Sequence, residues 1–185
     1  STKTFSATIR LHQVKHQSLT GIPPVDKGVL MCYNMGNVKD MQTKNSILDI
    51  DIAKEYLSTA NLSQYPIPLD IVLPLFSWGV HFRNGKFLQI LPEVIWTELQ
   101  NTYTFNEDRL GHTSIDTNMV FRGFTFLKGD IIRSERIDIK QIKQLLSLLQ
   151  TAHLSPNAEV LFFSLQNNTP KKFTHANVQE ILDYF

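Results

Sequence analysis

Four stretches of the chain are apolar almost without interruption and then turn polar within a residue or two. SATIRLHQ (6–13) ends in His12 and Gln13, and GVLMCYNMGN (28–37) ends in Tyr33, Asn34 and Asn37 around Gly36. LDIVLPLFSWG (69–79) ends in Ser77 and Trp78, and AEVLFFSLQNN (158–168) in Ser164, Gln166 and two asparagines. Runs of this length, rich in Val, Ile, Leu and Phe, read as strands covered on both faces, the pattern of a parallel sheet. In such sheets ligands bind at the carboxyl ends of the strands, so four polar tips on one side predict the wall of a pocket.

Between these runs the period changes to that of helices. NSILDIDIAKEYLSTA (45–60) places Leu48, Ile52, Ala53, Tyr56, Leu57 and Ala60 on one stripe, with Asn45, Ser46 or Asp49 as cap. DIKQIKQLLSLLQTAH (138–153) does the same with Ile139, Ile142, Leu145, Leu146 and Leu149 behind an Asp138 cap. THANVQEILDYF (174–185) is capped by Thr174 and is expected to bury Val178, Ile181, Leu182 and Phe185. VKHQSLTGIPPVDKG (14–28) is broken by Gly21, Pro23 and Pro24 and reads as a loop with at most one helical turn.

The strand 69–83 runs into Asn84-Gly85 between apolar flanks, a hairpin signal that turns the chain back. Residues 86–136 show no clean helical period, and MVFRGFTFL and KGDII within them suit β-structure, so a small antiparallel insert is expected over about 84–136. The order β, β, α, β with insert, α, β, α predicts an α/β fold with right-handed crossovers. It is equivalent to half of a (βα)8 TIM barrel, four parallel βα units in a single domain spanning 1–185, since a complete barrel needs about 250 residues. Four strands alone expose two sheet edges, so a missing N-terminal barrel half or self-association is expected to cover them. The chain enters a strand within a few residues, without a lead-in helix or methionine, and so reads as a piece of something longer.

Composition narrows the function classes. With 42% hydrophobic and 19% charged residues, the 185-residue chain is long enough for one packed core. The net charge of +1 supplies no concentrated basic face for nucleic acid. Apolar runs fall short of the roughly 20 residues that a membrane helix requires. A single cysteine, Cys32, allows no internal disulfide and reads as a core residue. Phosphate loops, zinc signatures and serine nucleophile elbows are missing, so no cofactor and no metal are expected.

SATIRLHQVK, GIPPVDKGVLMCYNMGN, YPIPLDIVLPLFSWGVHFRNGKF and LKGDIIRSE resemble the C-terminal half of an uncharacterised bacterial family of glycoside-hydrolase-like TIM-barrel proteins, many of them lipoproteins. LPLFSWGVHFRNGKF is the most specific part. The resemblance implies a barrel whose earlier strands, one of them bearing acidic residues, precede Ser1, and it suggests the bacterial cell envelope. A looser similarity to chitinase-like barrels lies in Tyr33 at the end of one strand and the Leu-Pro-aromatic run in the next. The spaced aspartates of that signature are not found in this sequence.

Several residues are candidate ligand-binding groups. Alternation along the first strand puts Thr8, Arg10 and His12 on one face, with Ala7, Ile9 and Leu11 on the other. An inward Arg10 keeps its charge and requires an anionic or carbonyl partner. That makes it either a substrate anchor or half of a structural ion pair with an acid from elsewhere. His12, with an unperturbed pKa near 6.5, is an acid-base or hydrogen-bonding group, or else a satisfied polar residue at a loop start. His12 and His16, four apart, would suit a metal only on a helix. Phe76 and Trp78 share a face and read as an aromatic platform for a sugar ring, or as a lid on the core. Tyr33, Asn34, Ser77, Ser164 and Gln166 would then supply hydrogen bonds to hydroxyls.

Glycoside hydrolysis needs two carboxyl groups flanking the bond, and none of the four strand tips ends in Asp or Glu. Asp26, Asp70 and Glu159 fall at the opposite ends. The catalytic residues are therefore unknown, and any acids are expected from the missing half. A non-catalytic barrel that binds a glycan or a protein is the alternative.

Overall fold

The computed structural model describes residues 3–108, 110–164 and 173–184. Its first elements are β1 (Ser6–Arg10), α1 (Leu11–Lys15), α2 (Gln17–Thr20), β2 (Lys27–Met31), α3 (Ile50–Leu57) and β3 (Leu69–Pro74). Then follow β4 (Trp78–Arg83), β5 (Lys86–Pro92), α4 (Glu93–Thr102), β6 (His112–Ser114), β7 (Met119–Phe121), β8 (Phe124–Phe126) and β9 (Ile131–Glu135). The chain continues through α5 (Ile139–Thr151), β10 (Val160–Phe163) and α6 (His175–Leu182). Two compact units result. The first runs to Met35 and takes in Leu48–Leu75 and the chain from Ile137 on; the second is Gly36–Ile47 with Phe76–Arg136.

In the first unit the four apolar segments form one sheet in the order β1-β2-β3-β10, every pair parallel. The register sets Ile9 beside Leu30, Leu30 beside Ile71 and Ile71 beside Val160. Because side chains alternate, this row shares one face, and it packs into a core with Ala53 and Leu57 of α3, Leu145, Leu146 and Leu149 of α5 and Ile181 of α6. The opposite row is Arg10, Met31, Val72 and Leu161. On the two edge strands this second face is open, with Ser6, Thr8, Arg10, Leu161 and Phe163 all exposed.

The caps follow the sequence. Asp49 accepts from Asp51 N and Ile52 N to start α3. Asp138 and Gln141 form a capping box on α5, and Thr174 accepts from Asn177 N at α6. Other expectations fail. The first strand stops at Arg10, and Leu11 opens α1, which buries Leu11 and Val14; His12 therefore lies on a helix and not at a strand tip. In α6 Ile181 is buried but Leu182 is 44% exposed; Phe185 is outside the described residues.

The segment 69–83 is not one strand. It breaks at Leu75–Ser77, and β4 joins a separate antiparallel sheet ordered β5-β4-β9-β6. The β4–β5 hairpin turns at Asn84 and Gly85 with φ of 52° and 73°. Positive φ at both central residues is the type I′ geometry that Asn-Gly favours. A helix absent from the sequence expectation, α4, follows β5 directly, with Trp96 and Leu99 buried against Leu91, Phe126 and Ile132. Its start residue, Pro92, makes no side-chain cap bond, so the usual N-terminal signal was missing.

Within this second unit His81 is fully buried between two partners. Its Nε2 lies 2.7 Å from Asp130 Oδ2 and its Nδ1 3.2 Å from Gln89 Nε2. Burial depresses the His81 pKa, against the pull of Asp130 and with help from the Arg83 charge. At Asp130 burial works upward, but bonds from Arg83, Leu127 N–H and His81 hold the carboxyl down at about 2. Both shifts have the same consequence. The unfolded chain binds protons first, so stability falls as pH drops below 6.5 for His81 and again between 3.8 and about 2 for Asp130. A series of thermal melts against pH is expected to show both losses, and Asp130→Asn to lower stability at pH 7 while flattening the second; an unaltered acid profile in the variant would contradict the assignment.

Candidate functional site

The parallel register carries the carboxyl ends of β1 and β2 to one edge, and there Arg10, His12, Tyr33 and Asn34 line a single cleft of about 60 Å³ together with Met31 and Tyr56. Four of the candidate residues are thus brought together. The cleft has room for the edge of a ligand and not for a buried one, since pockets that enclose small molecules hold roughly 300–1,000 Å³. Asn34 adopts φ 56°, a left-handed turn that Asn tolerates, and it ends the extended run that began in β2. The change of character at Tyr33 marks the exit from the sheet. Just beyond, Gly36 sits so close to Ser46 Cα that a Cβ there would approach to 2.9 Å.

The Arg10 side chain is exposed, so no cost of burying an unpaired guanidinium arises in this chain, and its guanidinium is free to meet solvent or ligand. Tyr33 stacks on Phe163, with ring centroids 5.4 Å apart and planes 4° from parallel. Burial raises the Tyr33 phenol pKa, with Cys32 adding to the shift, so the hydroxyl stays protonated and able to donate. Phe163 was not among the sequence candidates. The run Val160–Phe163 is apolar throughout and carries no signal for it; in the structure burial alternates along β10 and leaves Phe163 47% exposed on the open face. Ser164 follows it at the same strand end, and Gln166 lies outside the described residues.

The remaining candidates belong to the second unit. Phe76 precedes β4 and is buried, so it is a support and not a face open to ligand; its ring lies 5.2 Å from that of Trp78, inclined at 54°. Trp78 is partly exposed. The Ser77 N–H donates to Glu93 Oε2 at 3.1 Å. Trp78 Nε1 donates to Glu135 Oε2 at 2.7 Å, and Ser46 Oγ donates to the same oxygen at 2.6 Å. Arg133 closes the group, its Nε donating to Glu135 Oε1 at 2.8 Å and its Nη1 to the Asp40 carbonyl at 2.6 Å.

Sequence reasoning missed both carboxylates. The four parallel strands carry none at their ends, but β9 ends in Glu135 and α4 begins with Glu93, each almost wholly buried. Both stand on elements of the antiparallel unit, outside the four apolar runs.

The acids expected at the far ends are found there. Lys27 Nζ lies 2.6 Å from Asp70 and 3.4 Å from Glu159, and Asp26 Oδ2 accepts from Phe5 N. A larger cleft of about 980 Å³ opens at this amino-terminal edge, lined by Lys27, Asp70, Tyr65 and His153 among others. Ion pairs sit at its rim.

Searches of protein-family models and of curated proteins returned no match. Among solved structures, the chain is similar to the spore cortex-lytic enzyme SleL of Bacillus cereus, at 18% identity and a TM-score of 0.52, over 98% of this chain and 42% of that one. It is similar also to a chitinase of Chromobacterium violaceum, at 13% identity and a TM-score of 0.52, over 97% of this chain and 55% of that one. The chain spans about half the length of the structures it matches. At such identities the likeness is one of fold alone, a mixed α/β architecture with a parallel and an antiparallel sheet.

Beneath the cleft, Cys32 is fully buried on the helix-facing side, and burial pushes its thiol up to about 12. The thiolate is the reactive form. Cys32 is therefore expected to resist a thiol reagent at pH 8 in the folded chain and to react completely once denaturant is added; rapid labelling of the native chain would contradict the packing described.

Proposed function

We propose that this chain lines a carbohydrate-binding site in a glycoside-hydrolase-like barrel, and that any catalytic acids are contributed by residues outside these 185. The supporting observation is the convergence of Arg10, His12, Tyr33 and Asn34 on one cleft at the carboxyl edge of a parallel sheet. Neutral hydroxyl and amide groups beside aromatic faces suit a sugar, whose C–H face packs on a ring while its hydroxyls bond to amides. In this reading Tyr33 and Phe163 are the ring contacts and Asn34 and Ser164 the polar ones in the first unit, Trp78 with Ser77 offers a sugar-binding surface in the second, and Gln166 is a further polar candidate outside the described residues. Arg10 and His12 bind hydroxyl or carbonyl oxygens at the rim.

The open sheet face, with Leu161 and Phe163 exposed, is closed in this proposal by further βα units, from a longer chain or from a second copy. The insert between the third and fourth parallel strands is residues 76–136, beginning before the expected 84 because β4 already belongs to the antiparallel sheet. The match to about half of each solved relative supports a partial barrel, and membership of the bacterial lipoprotein-rich family is part of the same reading.

A barrel that binds glycan without cleaving it is the second reading. It is favoured by the engagement of the two carboxylates nearest the aromatic pair, Glu93 with Ser77 and Glu135 with Arg133, Ser46 and Trp78. Titration with chitotetraose, a neutral oligosaccharide, tests the site. The wild-type chain is expected to bind, Trp78→Ala and Tyr33→Ala each to weaken binding about tenfold, and none of the three to cleave the sugar. Equal affinity in all three would remove both rings from the site, and cleavage by the chain alone would place the acids within it.

A further inference from the structure

The reading above leaves the buried carboxylate of Glu135 without a role in the site, and we propose that Glu135 is a positioning residue that fixes the plane of the Trp78 indole. The inference rests on Trp78 being a sugar platform and adds what holds the platform still. Trp78 and Glu135 are directly opposed across the antiparallel β4–β9 pair, so their side chains stand on the same face. An indole N–H at a surface ordinarily finds water. Here it meets a carboxylate that is 1% exposed, at 2.7 Å. A bond to a charged acceptor is stronger than one to a neutral group.

The acceptor is itself immobile. Arg133 holds Oε1 from Nε and Nη2, at 2.8 and 2.7 Å, and the Ser46 hydroxyl shares Oε2 with the indole. Arg133 is fully buried, anchored on the carbonyls of Asp40 and Val38, with its Cζ 5.2 Å from the Phe82 ring centre. A Trp side chain has two rotatable bonds, and one bond from its ring nitrogen to a fixed oxygen restricts both. The cost of ordering the ring is then met on folding and not on binding. An ion pair serving stability alone explains this less well, because a buried pair replaced by apolar groups of similar volume is often no less stable.

The test combines binding and spectroscopy on the 185-residue chain. Arg133→Met with Glu135→Leu removes both charges together and leaves neither buried alone. Glu135→Gln is the independent variant: its amide oxygen turns to Arg133, so its NH2 faces the indole N–H, donor against donor. Each change is made in wild type and in Trp78→Phe, which keeps a flat ring without the N–H. Chitotetraose affinity is expected to fall about tenfold in the first background and to change little in the second. With Trp96→Phe leaving Trp78 as the single indole, acrylamide quenching of its fluorescence is expected to rise in both variants.

Equal losses in the two backgrounds, or unchanged quenching, would overturn the positioning role while leaving sugar binding intact. Increased quenching in a chain that never bound chitotetraose would uphold the control of Trp78 by Glu135 and overturn the sugar reading.

Discussion

A parallel strand pair leaves the chain no freedom in where its strands finish, because every strand of the sheet must end on the same side. The four apolar segments pair this way, β1 on β2, β2 on β3 and β3 on β10, and the rest of the first unit follows from it. Alternation then sorts the side chains: Ile9, Leu30, Ile71 and Val160 toward α3, α5 and α6, and Arg10, Met31, Val72 and Leu161 away. A slip of one residue in any strand would exchange these sets and expose the core row. The cleft at Arg10, Tyr33 and Asn34 is therefore a by-product of the same ladder that buries Leu30.

The second unit solves a different problem, that of keeping charge inside. Arg133 and Glu135 are 0% and 1% exposed, and desolvating either alone would cost several kcal/mol. They offset this by pairing and by drawing in the Asp40 and Val38 carbonyls, the Ser46 hydroxyl and the Trp78 indole. The loop Gly36–Ile47 is thereby tied to β4 and β9, although it is far from them in sequence. His81 and Asp130 repeat the device with Arg83.

Much of the first unit was legible because its signals are local. Apolar runs and the Asp49, Asp138 and Thr174 caps each depend on a few adjacent residues, as does the Asn84-Gly85 turn of the second unit. The misses have local reasons too. Leu11 continues the period-2 alternation of Ala7 and Ile9, so the sequence extends β1 past Arg10 and places His12 on a strand, whereas Leu11 opens α1. Pro74 and Ser77 flank a break between two sheets that an unbroken apolar run conceals. The α4 helix starts at Pro92 without a cap, and its buried Trp96 and Leu99 give too short a stripe. The polar network was out of reach for a different reason: Ser46, Trp78, Arg133 and Glu135 meet only through tertiary pairing, and nothing in their spacing announces it. Phe163 lay in plain view but was read as core, because an edge strand with one open face looks in sequence like a central one.

The orientation of the strands is what both the cleft and the open face depend on, and it is directly measurable. Interstrand nuclear Overhauser contacts on the isotope-labelled chain are expected to follow the parallel pattern, joining the backbone of Leu30 to that of Ile9 on one side and Ile71 on the other, as the register requires. Close Hα–Hα contacts of the antiparallel kind between any two of β1, β2, β3 and β10 would contradict it, since the polar ends would then point to opposite sides and no common rim would exist.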